Sequence, residues 1–147
     1  MKKKLFFSKK KKKNPPPIKG VIDYEGHGVS YCAICDAFFY RKKDVVIIGS
    51  GKFAVSEADD IVNVASSVKI LTNGDNVSAI KAIAGEKYAI DTRKITEIKG
   101  DELTGKVNSI VFEDGEILKT DGVFIALGEA GAVDFAKKMG IDRKSVV

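Results

Sequence analysis

Hydrophobic positions along this chain change period several times, and each change marks an element. Val45-Val46-Ile47-Ile48 is an unbroken apolar run, the pattern of a parallel strand covered on both faces. Gly49-Ser50-Gly51 then turns the chain. From Lys52 to about Ala65 the spacing becomes helical: Val55, Ala58, Val62 and Ala65 share one face, and Glu57, Asp59 and Asp60 are directed elsewhere. Val68-Lys69-Ile70-Leu71-Thr72 predicts a second strand, ended by Asn73-Gly74-Asp75. Strand, glycine turn, helix and strand form one βαβ unit.

Beyond it, residues 77–84 predict a short helix and Tyr88-Ala89-Ile90 a third parallel strand. Segments 94–99, 107–112 and 116–119, the last two joined by the Glu113-Asp114-Gly115 turn, have the spacing of a small antiparallel layer. Val123-Phe124-Ile125-Ala126-Leu127 is fully apolar and returns to the buried sheet. The fold class is therefore α/β: a Rossmann-like dinucleotide-binding domain with a parallel sheet, helices on one side and a small antiparallel β layer.

Composition agrees with one globular domain. Of 147 residues, 44% are apolar and 31% charged, so the chain can bury a core. No apolar run approaches the roughly 18 residues of a membrane span, which excludes an integral membrane reading. The net charge of +5 misleads, because eight lysines and no acid lie in residues 1–13. Without them, 17 basic side chains face 20 acidic ones, so the body is mildly acidic and offers no basic surface for nucleic acid.

The ends differ from the body. Residues 1–17 join a lysine block to Pro15, Pro16 and Pro17 and are expected to be disordered. A basic binding arm and a signal peptide compete with a solvated tail or non-native start. Leu5, Phe6 and Phe7 are too short an apolar stretch for a signal, and the solvated or non-native reading is preferred. Residues 18–141 are the domain, and residues 142–147 are expected to be a non-native tail, so that the native sequence breaks off near Ile141.

Two motifs carry chemistry. Gly49-Ser50-Gly51-Lys52-Phe53-Ala54 is a G-x-G-x-x-A fingerprint between a predicted strand and a predicted helix. Gly49 permits the turn, Gly51 lets the backbone approach a pyrophosphate, Ser50 lies between them, and Ala54 keeps helix and strand close. The end of the second strand normally selects the cofactor, with an acid for NAD or arginines for NADP. Thr72-Asn73-Gly74 offers neither, and Asp75 reads first as a turn former.

The second motif is Cys32-Ala33-Ile34-Cys35, which brings two sulfurs within disulfide reach. A zinc site lacks ligands, since only His27 remains as a soft partner, so no metal is expected. A structural disulfide stays open beside the preferred reading, a redox-active dithiol. His27 reads as an exposed loop residue. Phe38, Phe39 and Tyr40 read as core or interface packing, and Arg41, Lys42 and Lys43 as a solvated turn.

Together, Tyr31-Cys-Ala-Ile-Cys-Asp-Ala-Phe-Phe-Tyr-Arg41 and Val45-Val-Ile-Ile-Gly-Ser-Gly51 resemble the low-molecular-weight thioredoxin reductases. Asp121–Gly128 and Val133-Asp134-Phe135 fit the same family, and the resemblance spans residues 18–141. It implies a domain inserted into an FAD-binding domain, with electrons passing from reduced flavin to the C-x-x-C disulfide and on to thioredoxin. Cys35 would face the flavin, Cys32 would attack the thioredoxin disulfide, and Asp36 would manage the thiol proton. The domain would rotate between flavin and partner, in a cytoplasmic homodimer.

Two departures qualify that picture. Ala37 stands where the family usually has glycine, and Thr72-Asn73-Gly74 stands where it has arginines. The second resembles the ferredoxin-dependent flavin thioredoxin reductases, so the donor is open among NADPH, NADH and reduced ferredoxin. The FAD-binding segments lie outside this sequence, so the chain alone is expected to bind no flavin and not to turn over. A standalone dithiol exchange module and a fragment of a peroxide-reductase flavoprotein subunit are the alternatives.

Overall fold

The computed structural model describes residues 18–128. The expected basic tail, the expected non-native end and Val133-Asp134-Phe135 lie outside the described residues. Strand β1 (Val29–Ser30) leads into helix α1 (Ala33–Asp36) and a 3-10 turn (Ala37–Tyr40). Then come β2 (Asp44–Ile48), α2 (Lys52–Ile61), β3 (Ser67–Leu71), α3 (Ser78–Ala84) and β4 (Ala89–Asp91). Three further strands, β5 (Ile95–Gly100), β6 (Val107–Phe112) and β7 (Ile117–Lys119), precede β8 (Gly122–Ile125).

The parallel sheet runs β1-β8-β2-β3-β4, and β5-β6-β7 form a separate antiparallel sheet. Side chains alternate across the parallel sheet, as the two-residue period of a strand requires. Val45, Ile47, Ile70 and Phe124 point to the helices, where Ala54, Val55, Ala58, Ile61 and Ile80 meet them. Val46, Ile48, Leu71, Val123 and Ile125 point the other way, onto Ile95, Ile98, Val107, Ile110 and Phe112 of the antiparallel layer. Helices thus cover one face and the small β layer covers the other, as the sequence predicts. Continuous apolar runs in β2 and β8 follow from this, because both faces of these strands are dry.

Two details of α2 differ from expectation. The helix stops at Ile61 rather than near Ala65, because Val64 and Ala65 both donate to the Ile61 carbonyl at 3.0 Å. The Val64 carbonyl accepts from Lys42 at 2.7 Å, which ties this stretch to the loop before β2. Glu57, expected to point away from the apolar face, is only 2% exposed. The buried stripe is Ala54, Val55, Glu57, Ala58 and Ile61, wide because α2 packs on the sheet and also on α1 and α3.

Phe124 is fully buried in the centre of β8, where Tyr40 meets its ring edge-on with centroids 5.2 Å apart. Replacing it by alanine is expected to cost about 3–5 kcal/mol of stability, read from the urea midpoint. A loss under about 1 kcal/mol would mean that this face is not the core.

Candidate dithiol site

The site begins where β1 ends. Cys32 has extended backbone angles (φ −145°, ψ 104°) and caps α1, its sulfur accepting the Cys35 amide at 3.2 Å. The two sulfurs are joined as a disulfide, with α-carbons 5.3 Å apart. The cysteines differ in access: Cys32 is buried and Cys35 is exposed. Around Cys35 the surface is apolar, with Ile34, Phe38 and Phe39 exposed by 65%, 71% and 69%. Phe38 and Phe39 therefore depart from the core-packing expectation, and of the three aromatics only Tyr40 packs inward. Arg41 lies over the Phe38 ring at 5.4 Å.

Two side chains to which the sequence assigns no role at the site hold this turn. The Ser30 hydroxyl donates to Asp36 Oδ2 at 2.6 Å and its oxygen accepts the Cys32 amide at 3.1 Å. It thereby links the carboxylate after the second cysteine to the backbone of the first. Glu57 Oε1 accepts the Ala33 amide at 2.7 Å from a helix 24 residues away. Burial pushes the Glu57 carboxyl above its ordinary range, with the Ala33 amide acting against that and Asp60 adding to it. Asp36, His27, Tyr40, Lys43, Lys106 and Asp121 border an open cleft of about 310 Å³ beside α1. Burial, then the charges of Asp36 and Asp121, hold the Tyr40 phenol protonated beyond its usual range. His27 is exposed, as expected, with Nδ1 at 3.2 Å from the Glu25 carbonyl oxygen.

The glycine turn follows the C-terminal end of β2, at the same end of the parallel sheet as the dithiol. A β-carbon on Gly49 would come within 2.2 Å of the Ala126 carbonyl oxygen and 3.0 Å of Ala54 Cβ. Gly49 is thus needed for close approach rather than for a positive φ, and Ala54 occupies the third fingerprint position against it. Gly51, at the cap of α2, has open space where a β-carbon would project. That opening fits the approach of a pyrophosphate. The selector loop is closed on itself: Asn73 Oδ1 accepts the Ile95 amide at 2.8 Å, and the Thr72 hydroxyl donates to the Asp75 carbonyl at 2.7 Å. Asp75 forms the expected turn, but its carboxylate also accepts the Ser50 hydroxyl at 2.8 Å. That contact puts an acid against the glycine turn. Among the described residues, no group of histidine, cysteine and acidic side chains could hold a metal ion, and no helix is long and apolar enough to cross a membrane.

A dinucleotide-type fold with a C-x-x-C pair on the helix after its first strand defines a class, the disulfide oxidoreductases built on Rossmann domains. The chain belongs to the pyridine nucleotide-disulphide oxidoreductase family, whose model matches residues 10–146. It is 39% identical over 111 residues to a thioredoxin reductase of Mycolicibacterium smegmatis, covering 70% of this chain and 36% of that protein. It is similar in structure to the atypical thioredoxin reductase TRi from Desulfovibrio vulgaris Hildenborough, with a TM-score of 0.72 and 36% identity over 90% of this chain and 45% of that one. A ferredoxin-flavin thioredoxin reductase from Clostridium acetobutylicum gives a TM-score of 0.60 and 36% identity over 78% of this chain and 37% of that one. The chain thus spans little more than a third of the length of the M. smegmatis relative.

The two glycines should separate on substitution. Gly49→Ala is expected to lose about 1–3 kcal/mol in urea unfolding, because the Ala126 carbonyl must move. Gly51→Ala should cost no more than about 1 kcal/mol, the scale of a cap change. Equal losses would show that Gly51 is held by protein packing and not left open for a ligand.

Proposed function

We propose that this chain is the dithiol-carrying domain of a flavin-dependent thioredoxin reductase and passes electron pairs through Cys32 and Cys35 to thioredoxin. The observation that carries this reading is the Cys32–Cys35 pair capping α1 beside the exposed Ile34, Phe38 and Phe39. An apolar rim around a disulfide suits docking of another protein's disulfide. The relatives named above are thioredoxin reductases, which supports thioredoxin as that protein.

Two electrons and two protons convert the disulfide to two thiols. The Cys32 thiolate attacks one sulfur of the partner's disulfide, forming a mixed disulfide and expelling the other partner sulfur as a thiol. Cys35 then attacks the Cys32 sulfur, restores the intramolecular bond and releases the second partner thiol. Exposure of Cys35 supports its place as the sulfur nearer the electron source. Asp36, which accepts the Ser30 hydroxyl at 2.6 Å, takes the thiol proton in this scheme. A flavin supplies the electron pair in the complete protein. In this reading the glycine-rich turn at 49–54 is not the flavin site, which other segments of the complete protein supply.

The selector loop bears on the donor. Residues 72–76 contain no arginine for a 2′-phosphate, and the Asp75 carboxylate at Ser50 repels one. Both features support a donor other than NADPH, and the Clostridium acetobutylicum protein named above supports reduced ferredoxin.

The test uses the complete gene product with thioredoxin and Ellman's reagent, driven in turn by reduced ferredoxin, NADPH and NADH. Ferredoxin should sustain turnover and NADPH should not, while Cys32→Ser and Cys35→Ser each reduce it to background. NADPH-driven turnover would overturn the donor assignment. Turnover surviving either serine substitution would overturn the dithiol role. Peroxide reduction in place of thioredoxin reduction would point to the related peroxide-reductase subunits.

A further inference from the structure

Glu57 is the one fully buried acid among the described residues whose bond reaches the dithiol helix. A carboxylate taken out of water costs several kcal/mol unless it is paired and hydrogen-bonded. Among the described residues no lysine or arginine pairs with it. The partner it has is the Ala33 amide, the first of α1, at 2.7 Å. In the same turn the Cys35 amide points to the Cys32 sulfur at 3.2 Å. The amides that would steady a thiolate are therefore divided between a sulfur and a carboxylate.

We propose that Glu57 is a positioning residue for the dithiol: from α2 it holds the Ala33 amide, fixing the start of α1, and its negative charge disfavours the Cys32 thiolate. The charged and polar groups facing this pair are Asp60 on α2, the Ser30 hydroxyl at the Cys32 amide, and Asp36 linked through Ser30. The charges of Asp60 and Asp36 are negative and act in the same direction as Glu57, while His27, Lys43 and Lys106 border the cleft beside Asp36 and are the same in every variant. At a pH near or above the Cys32 midpoint, where the thiolate is populated, destabilising it destabilises the reduced pair. The dithiol then gives up its electrons more readily, and the glutathione balance is read at such a pH. Strongly oxidising dithiols have the opposite bias, a stabilised reduced form. A Cys32 kept at a higher pKa is also a stronger nucleophile once its proton is removed. Both consequences suit a chain that reduces a partner, and the inference rests on the dithiol reading above.

The experiment uses the 147-residue chain reduced with dithiothreitol. The ultraviolet absorbance of the thiolate is titrated against pH in a Cys35→Ser background, which leaves Cys32 alone. Glu57→Gln keeps the shape and an oxygen for Ala33 but removes the charge. It should lower the Cys32 midpoint by about one pH unit, a roughly tenfold rise in acid dissociation. Glu57→Ala should move it in the same direction. With both cysteines present, two glutathione thiols and the chain's disulfide exchange to one glutathione disulfide and the chain's dithiol, and Glu57→Gln should shift that balance toward the dithiol.

The unsubstituted chain provides a second measurement that no folding defect can spoil. Glu57 loses its proton before Cys32 does, so in the reduced chain the carbon resonance of the Glu57 carboxyl should show a second, smaller inflection at the Cys32 midpoint. An unchanged or raised Cys32 midpoint in folded Glu57→Gln overturns the inference, as does a Glu57 resonance that does not move when Cys32 ionises. If dithiothreitol releases no thiols at all, the dithiol reading itself has failed.

Discussion

At Gly49 the chain passes so close to the end of β8 that a β-carbon would lie 2.2 Å from the Ala126 carbonyl oxygen, and this contact fixes where α2 begins. Ala126 donates back to the Ile48 carbonyl at 2.8 Å, so the two central strands end in register. A helix started at that point lays Ala54, Ala58 and Ile61 on the sheet and turns Glu57 toward α1. Small residues at 54 and 58 let it approach closely. Were α2 to begin elsewhere, the Ala33 amide would lose its acceptor and the first turn of the dithiol helix its anchor. The geometry at Cys32 is thus set from a glycine turn two strands away at the same end of the sheet, through one rigid helix.

Most of this architecture could be read in the sequence, because continuous and alternating apolar runs report directly on which faces are dry. β2, β3 and β6 fall within a residue of expectation for that reason, and β8 starts within one and ends two residues early. The site was legible at Cys32, Cys35 and the fingerprint, where residue type and spacing carry the chemistry. Ser30 and Glu57 were not. A serine two residues before a cysteine is an ordinary loop residue until the fold brings Asp36 within 2.6 Å of it. Glu57 did leave a signal: Ala54, Glu57, Ala58 and Ile61 follow the i, i+3, i+4, i+7 spacing of one helical face. Taking Val62 and Ala65 as the continuing stripe rotated that face away from Glu57. The helix ends before either residue, and only the tertiary tie between Val64 and Lys42 shows why.

Phe38 and Phe39 illustrate the opposite limit. Aromatic residues beside a helix ordinarily signal packing, and pattern alone cannot tell an inner face from one turned to a partner. In the described residues they stand outward beside Ile34 and Cys35, while Tyr40, next in sequence, turns in to Phe124. The short 3-10 turn makes this possible, since its tight winding separates consecutive side chains by a third of a revolution. One aromatic anchors the segment and two remain beside the sulfur that faces solvent.

The glycine fingerprint has two separable causes, and this bears on what its presence means. Gly49 and Ala54 are required by contacts within the protein, with Ala126 and with each other. Those requirements persist whether or not a nucleotide ever binds. Gly51 is different, since nothing in the described fold crowds its missing side chain. A domain that stopped using a dinucleotide would therefore keep the first and last positions of its motif for stability, while the selector loop drifted. Thr72, Asn73 and Asp75 fit that description: their polar atoms are spent on the Asp75 carbonyl, on Ile95 and on Ser50 rather than presented to a ribose phosphate. The retained turn still places α2, and through Glu57 it still governs the dithiol. Contacts within the protein are then enough to preserve Gly49 and Ala54, and Gly51 is the position of the motif that a bound nucleotide would still have to explain.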